Sequence, residues 1–430
     1  MGGRSVTLPH MVGPSTRPGS ASDVDADRWL THGVGGIGTA SLLADAGHEV
    51  PTALLPSLLT STLGAPAAAL GLIEGVSDAL AGAARLAGGA LADDPARRRT
   101  VAVGGYTTTA ALAALIGAAT QVWQVGVLRA GAWAARGLRV PARNALLAEV
   151  VHPAAYGRAY GFERTMDNLG AIFGPLLALA LVTAVGVRWA IGLSIIPGLL
   201  AGTAIIYAIR HAPKAERRDQ VPLRIRVRPV LRGELGRLMG AVACFEVGNV
   251  AATLLILRAT ELLAPGHGTV TATTLALVLY TLYNLAATVA LLPAGRAADR
   301  LGPRGPIRVL AAGVALFAAA YTGFAAANAN LILLALPFAA AGVAIGCVET
   351  AQHTAVAALA PASIRGSAFG LLATVQAAGN LAASGIAGLL WTAVSAEAAF
   401  TYLVAWMLLA LAGFPMAARR RASSRTEAET

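Results

Sequence analysis

The sequence predicts an all-α polytopic membrane protein, with twelve transmembrane helices in two pseudo-symmetric six-helix bundles. Three observations lead there. Of 430 residues, 56% are hydrophobic and 13% charged, with a mean hydropathy of +0.65, which is too apolar for a soluble chain of this size. Apolar runs of about 20 residues recur throughout, each long enough to cross a hydrocarbon core of roughly 30 Å. Short motifs of the first half also return in the second, as an internal duplication requires.

Residues 1–33 are rich in Gly, Pro, Ser, Asp and Arg and hold no apolar core, so a disordered cytoplasmic tail is expected there, and no secretory signal. The first bundle, 34–210, is expected to span at 34–62, 66–92, 99–120, 122–148, 158–185 and 188–210. Residues 211–233 form a basic, proline-containing cytoplasmic linker that cannot enter the membrane. The second bundle, 234–418, is expected to span at 234–263, 269–295, 306–327, 330–358, 364–392 and 397–418, followed by a cytoplasmic tail at 419–430.

The net charge of +11 raises the question of a nucleic-acid partner. Its distribution argues against one. Arg97, Arg98, Arg99, the linker arginines, Arg296, Arg300, Arg304 and Arg365 fall in connections on one side, and little beyond Arg188 and Arg258 falls on the other. The positive-inside rule then puts both termini in the cytoplasm of a cell inner (plasma) membrane. Cys244 and Cys347 lie within apolar runs and read as small buried residues. Phosphate-cradling loops, metal-spaced clusters and positioned nucleophiles are not found, so no enzyme, metal or cofactor is expected.

The repeat is specific. "GGALADDPARRR" follows the second span and "AGRAADRLGPRG" the eighth, so that Gly89 and Asp93 align with Gly295 and Asp299, 206 residues on. "GRAYGFERTMDNLG" entering the fifth span aligns with "GSAFGLLATVQAAG" entering the eleventh, 209 residues on. Glycine permits close helix approach, and aspartate can cap a helix or pair with arginine.

These residues resemble the major facilitator superfamily, over nearly the whole chain after about residue 34. Gly295, Asp299, Arg300, Gly302 and Arg304 match its Gly-x-x-x-Asp-Arg-x-Gly-x-Arg loop; Gly89, Asp93 and Arg97 match in part, while Asp94, Pro95 and Ala96 depart. The resemblance implies a latch that stabilises one access state. Gly161, Gly170, Gly174 and Pro175 resemble the front of the fifth-helix motif of the family's proton-coupled exporters, but Ala178 and Leu179 replace its closing glycines.

Charges inside the spans are costly and mark function. Asp45 and Glu49, Glu74 and Asp78, and Glu163 and Asp167 are spaced i,i+4, so each pair shares a helix face; Arg129 and Arg136 share another. These six acids are the proton-coupling candidates. His48, Arg129, Arg136, Asn168, Glu246 and Asn249 are the substrate-cavity candidates, with His48 expected as a hydrogen-bonded partner of the acids beside it. Pro141 is expected to end or kink the fourth span, leaving Arg139 and Arg143 to snorkel to headgroups or to line a vestibule. Glu349 and His353 share a face as a possible gate pair.

The expected function is secondary active transport of a small organic compound by alternating access, driven by the proton gradient, as efflux. Proton-symport uptake of an anionic metabolite, or a non-transporting scaffold or sensor of the same fold, are the alternatives. The expected partners are a small-molecule substrate and the lipid bilayer, with no nucleic acid and a monomeric chain.

Overall fold

A computed structural model describes residues 28–213 and 224–418. Most of the expected N-terminal tail, the centre of the linker and the C-terminal tail lie outside the described residues. Helix α1 (His32–Ser57) starts where the Thr31 hydroxyl accepts from Val34 N–H, and it runs into a π turn at Leu58–Thr62. Helices α2 (Ala67–Ala92), α3 (Pro95–Leu115) and α4 (Val122–Val150) follow. Helix α4 opens on a capping box between Gln121 and Gln124, and it continues through Pro141 instead of ending there.

Helices α5 (Tyr156–Leu193) and α6 (Ile195–Arg210) hold the next two crossings. The chain turns between them at Gly186, whose φ of 80° is a conformation that side-chain-bearing residues disfavour. A single turn, α7 (Val227–Val230), precedes the second bundle. That bundle contains α8 (Gly233–Val247), α9 (Ala252–His267), α10 (Thr269–Arg300), α11 (Gly305–Ala325), α12 (Leu331–Leu359), α13 (Arg365–Ala393) and α14 (Ala396–Ala418).

Among the described residues, eight helical stretches are long and apolar enough to cross a membrane, and one of them, Pro153–Arg210, has 58 residues and serves two crossings. Helices α1, α2 and α4 complete twelve. All three carry charged residues along their length. The seventh crossing departs from the continuous helix expected from sequence: it breaks at Gly248–Ala251, between α8 and α9.

The bundles have different cores. The second is filled by aromatic rings, with Phe324 packed on Phe338 (centroids 5.0 Å apart) and Phe400 (5.4 Å), and Phe245 on Phe317 (5.5 Å). Such pairs add about 0.5–1.5 kcal/mol each beyond their buried area. The first packs small residues and buried charges.

The bundles meet mainly through α5 with α10 and α2 with α13. Contact is tight at the arginine-rich end. A Cβ on Gly157 would strike the Gly295 carbonyl, one on Gly161 the Leu291 carbonyl, and one on Gly89 the Gly366 carbonyl. Toward the other end the same helices separate, since Gly71, Gly75 and Gly82 of α2 and Gly385 and Gly388 of α13 have nothing within 4 Å of an added Cβ. The molecule is therefore closed at its arginine-rich end and splayed at the other.

Gly295→Val is expected to prevent the α5–α10 approach. Cysteines placed along the lower α10 should then label at least several-fold faster from the arginine-rich side than in the parent protein, with unchanged labelling counting against close packing there.

Candidate transport site

Four arginines of α4 organise the first bundle. Arg129, Arg136, Arg139 and Arg143 follow helical spacing on one face. Arg129 is 1% exposed and pairs with Glu74 at 3.0 Å. Its Nη1 also donates to the Thr52 hydroxyl (3.1 Å), and its guanidinium lies over the Trp133 ring, 3.2 Å from the centroid. The other side of this cluster is His48, whose ring is 4.1 Å from that of Trp133. Trp133 Nε1 donates to Asp78 at 2.9 Å.

One turn further, Arg136 Nη2 donates to both Asp45 oxygens (3.2 and 3.3 Å), and Arg139 lies 3.9 Å from Asp45 with its guanidinium 4.1 Å from the Tyr106 ring centroid. Arg143 reaches Glu163 (2.8 Å), Asp167 (3.2 Å) and the Ser41 hydroxyl (2.9 Å), while that hydroxyl donates to Glu163 (2.7 Å). Arg164 closes the set on Glu163 (2.7 Å) and Asp167 (3.2 Å). The i,i+4 spacing of Glu163 and Asp167 thus lets one pair of carboxylates grip two guanidiniums.

Several expectations are corrected here. Arg139 and Arg143 do not snorkel; they are 3% and 4% exposed and face inward, because α4 does not end at Pro141. His48 is not hydrogen-bonded to the acids beside it through Nδ1, which is buried and without a partner; its ring stacks on Trp133 instead. Glu349 and His353 do not form a carboxylate–imidazole pair. His353 Nδ1 sits 2.7 Å from the Glu349 backbone carbonyl, and the ring lies between Tyr160 and Phe369. Asn168 is half-buried and outside these clusters.

The fifth-helix glycines have a steric role. A Cβ on Gly170 would meet the Leu42 carbonyl and crowd Asp45, and one on Gly174 would strike the Glu49 side chain. They let α5 lie against the acid-bearing face of α1. Glu49 is half-buried and Asp78 exposed, and no ion pair reaches either among the described residues.

In the second bundle Glu246 is 3% exposed. It accepts from Asn249 Nδ2 (3.0 Å) and Gln352 Nε2 (2.9 Å), and Gln352 Oε1 in turn accepts from Gln376 Nε2 (2.7 Å). Asn380 Nδ2 donates to the Asn249 carbonyl at 2.9 Å. The sequence singled out Glu246 and Asn249 but missed the glutamines, whose uncharged amides do not stand out in an apolar run. The i,i+4 spacing of Gln376 and Asn380 is the signal available.

The duplicated loops cross between bundles. Asp299, at the end of α10, accepts from Gly157 N–H (2.7 Å) and Arg158 N–H (3.0 Å) at the start of α5, and from Arg158 Nε (3.0 Å). Asp93, at the end of α2, accepts from Ser367 N–H (2.9 Å) and the Ser367 hydroxyl (2.6 Å) at the start of α13. Each carboxylate caps the positive end of a helix in the opposite bundle. Gly302 needs its φ of 74° to turn the second loop. The first loop turns differently: Asp94 caps α3 through Ala96 and Arg97 N–H, with Pro95 in the first turn, which explains its departure from the motif. Arg98 and Arg99 both bind Glu149 at 2.8 Å, whereas Arg300 and Arg304 are exposed.

A groove of about 980 Å³ lies apart from these charges, on the flank formed by α1, α5 and α6, lined by His32, Phe162 and Tyr207 among others.

The sequence profile of the Major Facilitator Superfamily matches residues 37–259 and 238–430. The chain belongs to this superfamily. It is 28% identical over 381 residues to an uncharacterised MFS-type transporter of Methanocaldococcus jannaschii, covering 87% of this chain and 92% of that one. It is 27% identical over 384 residues to an uncharacterised protein of Mycobacterium tuberculosis, covering 87% and 90%. Among solved structures it is similar to a bacterial homologue of the iron transporter ferroportin in an outward-facing state (TM-score 0.71, 15% identity, 90% and 100% covered) and to the human organic anion transporter MFSD10 (0.68, 17%, 89% and 99%). At these identities the likeness shows the twelve-helix, two-bundle fold. The protein is a membrane transporter of a small solute, not an enzyme.

Removing Arg143 leaves the buried Glu163 and the half-buried Asp167 with one guanidinium between them. Arg143→Met should cost about 3–5 kcal/mol, read as a large loss of thermostability in detergent. Arg300→Ala, at an exposed arginine, should cost under about 1 kcal/mol. Equal effects would contradict the buried network.

Proposed function

We propose that this superfamily member is a proton-coupled exporter of a small organic compound in the plasma membrane. Both termini lie on the cytoplasmic side and the proton gradient is the energy source. The observation that carries the reading is the division among the first-bundle acids. Asp45, Glu74, Glu163 and Asp167 are each held by a guanidinium, whereas Glu49 and Asp78 stand at the rim of the same network without an ion pair. A carboxylate pinned by arginine is committed to that partner; the rim acids are not, so a proton there alters the charge balance of the cleft without breaking an ion pair.

The arginine-rich end then faces the cytoplasm, and the chain described above is open outward. Protonation at the rim favours substrate release to the outside, and the bundles rock to expose the cleft to the cytoplasm. The fifth-helix resemblance to exporters supports the direction, as does the snug fit of Gly170 and Gly174 against the acid-bearing face of α1. The monomer is the transporting unit, since both bundles and the cleft between them come from one chain.

When a panel of fluorescent organic compounds is added outside inverted vesicles, acidifying the lumen should drive accumulation. Glu49→Gln and Asp78→Asn should each reduce that pH-driven flux at least tenfold with protein abundance unchanged, since neither breaks an ion pair. Unaltered flux in both variants would overturn the coupling, and accumulation driven only by the reverse gradient would favour symport uptake.

A further inference from the structure

Among the described residues, the buried acids within the first-bundle spans, Asp45 and Glu163, have guanidinium partners, but Glu246 has only amides: Asn249 on one oxygen and Gln352 on the other. The groups that face it from neighbouring helices supply no cation. Helix α12 brings Gln352 and Glu349, α13 brings Gln376 and Asn380, α11 brings Phe317 and Tyr321, and α14 brings Tyr402, whose hydroxyl donates to the Val247 carbonyl. Glu349 and the carbonyl end of α8 both add negative potential there.

The local backbone sharpens this. Helix α8 stops one residue beyond Glu246, and Gly248–Ala251 is unwound before α9 begins. Gly379 of α13 packs directly on Glu246, and a Cβ there would strike its side chain. Gln352 is fully buried. Both carboxylate oxygens already face amide N–H₂ donors. A metal ion or an ammonium needs oxygens turned toward it, so neither suits this arrangement. A proton suits it.

We propose that Glu246 is a proton-binding site of the second bundle, read out by the Gln352–Gln376 amide chain. The hydrogen bonds run Gln376 to Gln352 to Glu246, the direction an ionised carboxylate imposes, because it can only accept. A proton arriving from the cleft forms an O–H bond on one oxygen and makes that oxygen a donor. Gln352 then turns its oxygen to Glu246 and its nitrogen to Gln376, which turns in step. The reversal ends on α13, the helix whose first turn is held by Asp93. Protonation on α8 is thereby linked to the inter-bundle contact. The inference rests on the proton-coupled reading for its driving force, but the proton site itself is measurable without substrate.

The test is infrared difference spectroscopy of the full-length protein in lipid, stepped from alkaline to acidic pH. The parent protein should show a protonated-carboxyl band with an accompanying side-chain amide change. Glu246→Gln should remove that band component and the amide change, and the Glu49→Gln/Asp78→Asn double variant should keep both. Gln352→Met, which takes away one donor, should shift the Glu246 band to higher frequency without abolishing it. A Glu246→Gln spectrum identical to the parent overturns the inference. Loss in Glu246→Gln with no component lost in the double variant sustains it while removing the rim acids from the proposed function.

Discussion

Two carboxylates, Asp93 and Asp299, hold the bundles together by capping helices that do not belong to them. A helix start exposes N–H groups with no partner of their own, and a carboxylate there is favoured by both hydrogen bonding and the helix dipole. Each acid ends a helix of one bundle and satisfies the first turn of a helix in the other. Glycines at 157, 295, 89 and 366 let the backbones come close enough for those bonds to form. These bonds cross the bundle interface at its closed end.

The interior obeys a different constraint. No water shares the hydrocarbon core, so a charge placed there must be met within the protein. Helix α4 meets this with arginines at four positions of one face, reaching acids on α1, α2 and α5. The second bundle relies more on aromatic packing, holds Glu246 among amides and ties its buried Arg258 to Glu397. The two bundles therefore share their loop aspartates and differ inside, one ionic and the other largely apolar.

Much of the fold was legible in the sequence because span length and apolar run length obey the same geometry. The paired loop aspartates were legible too, since the repeat aligned them, although their partners Gly157 and Ser367 were not named as such. What could not be read was side-chain direction. Pro141 suggested a helix end, yet α4 runs on, and so Arg143 became a buried hub where the sequence suggested a headgroup contact. Trp133 carries no charge to mark it in the sequence, and only the structure shows it between Arg129 and His48. The break at Gly248 leaves no strong mark in a run of apolar residues, and the glutamines that serve Glu246 carry no charge to betray them.

The latch is tested most directly by distances between spin labels across the interface. One pair would join Ala154, before α5, to Leu301, after α10; the other would join the exposed Leu72 of α2 to Leu389 of α13 at the splayed end. In the Asp93→Asn/Asp299→Asn variant the first distance should lengthen and the second shorten relative to the parent protein. If both distributions stay where they are in the parent protein, the two carboxylates do not set which end is closed.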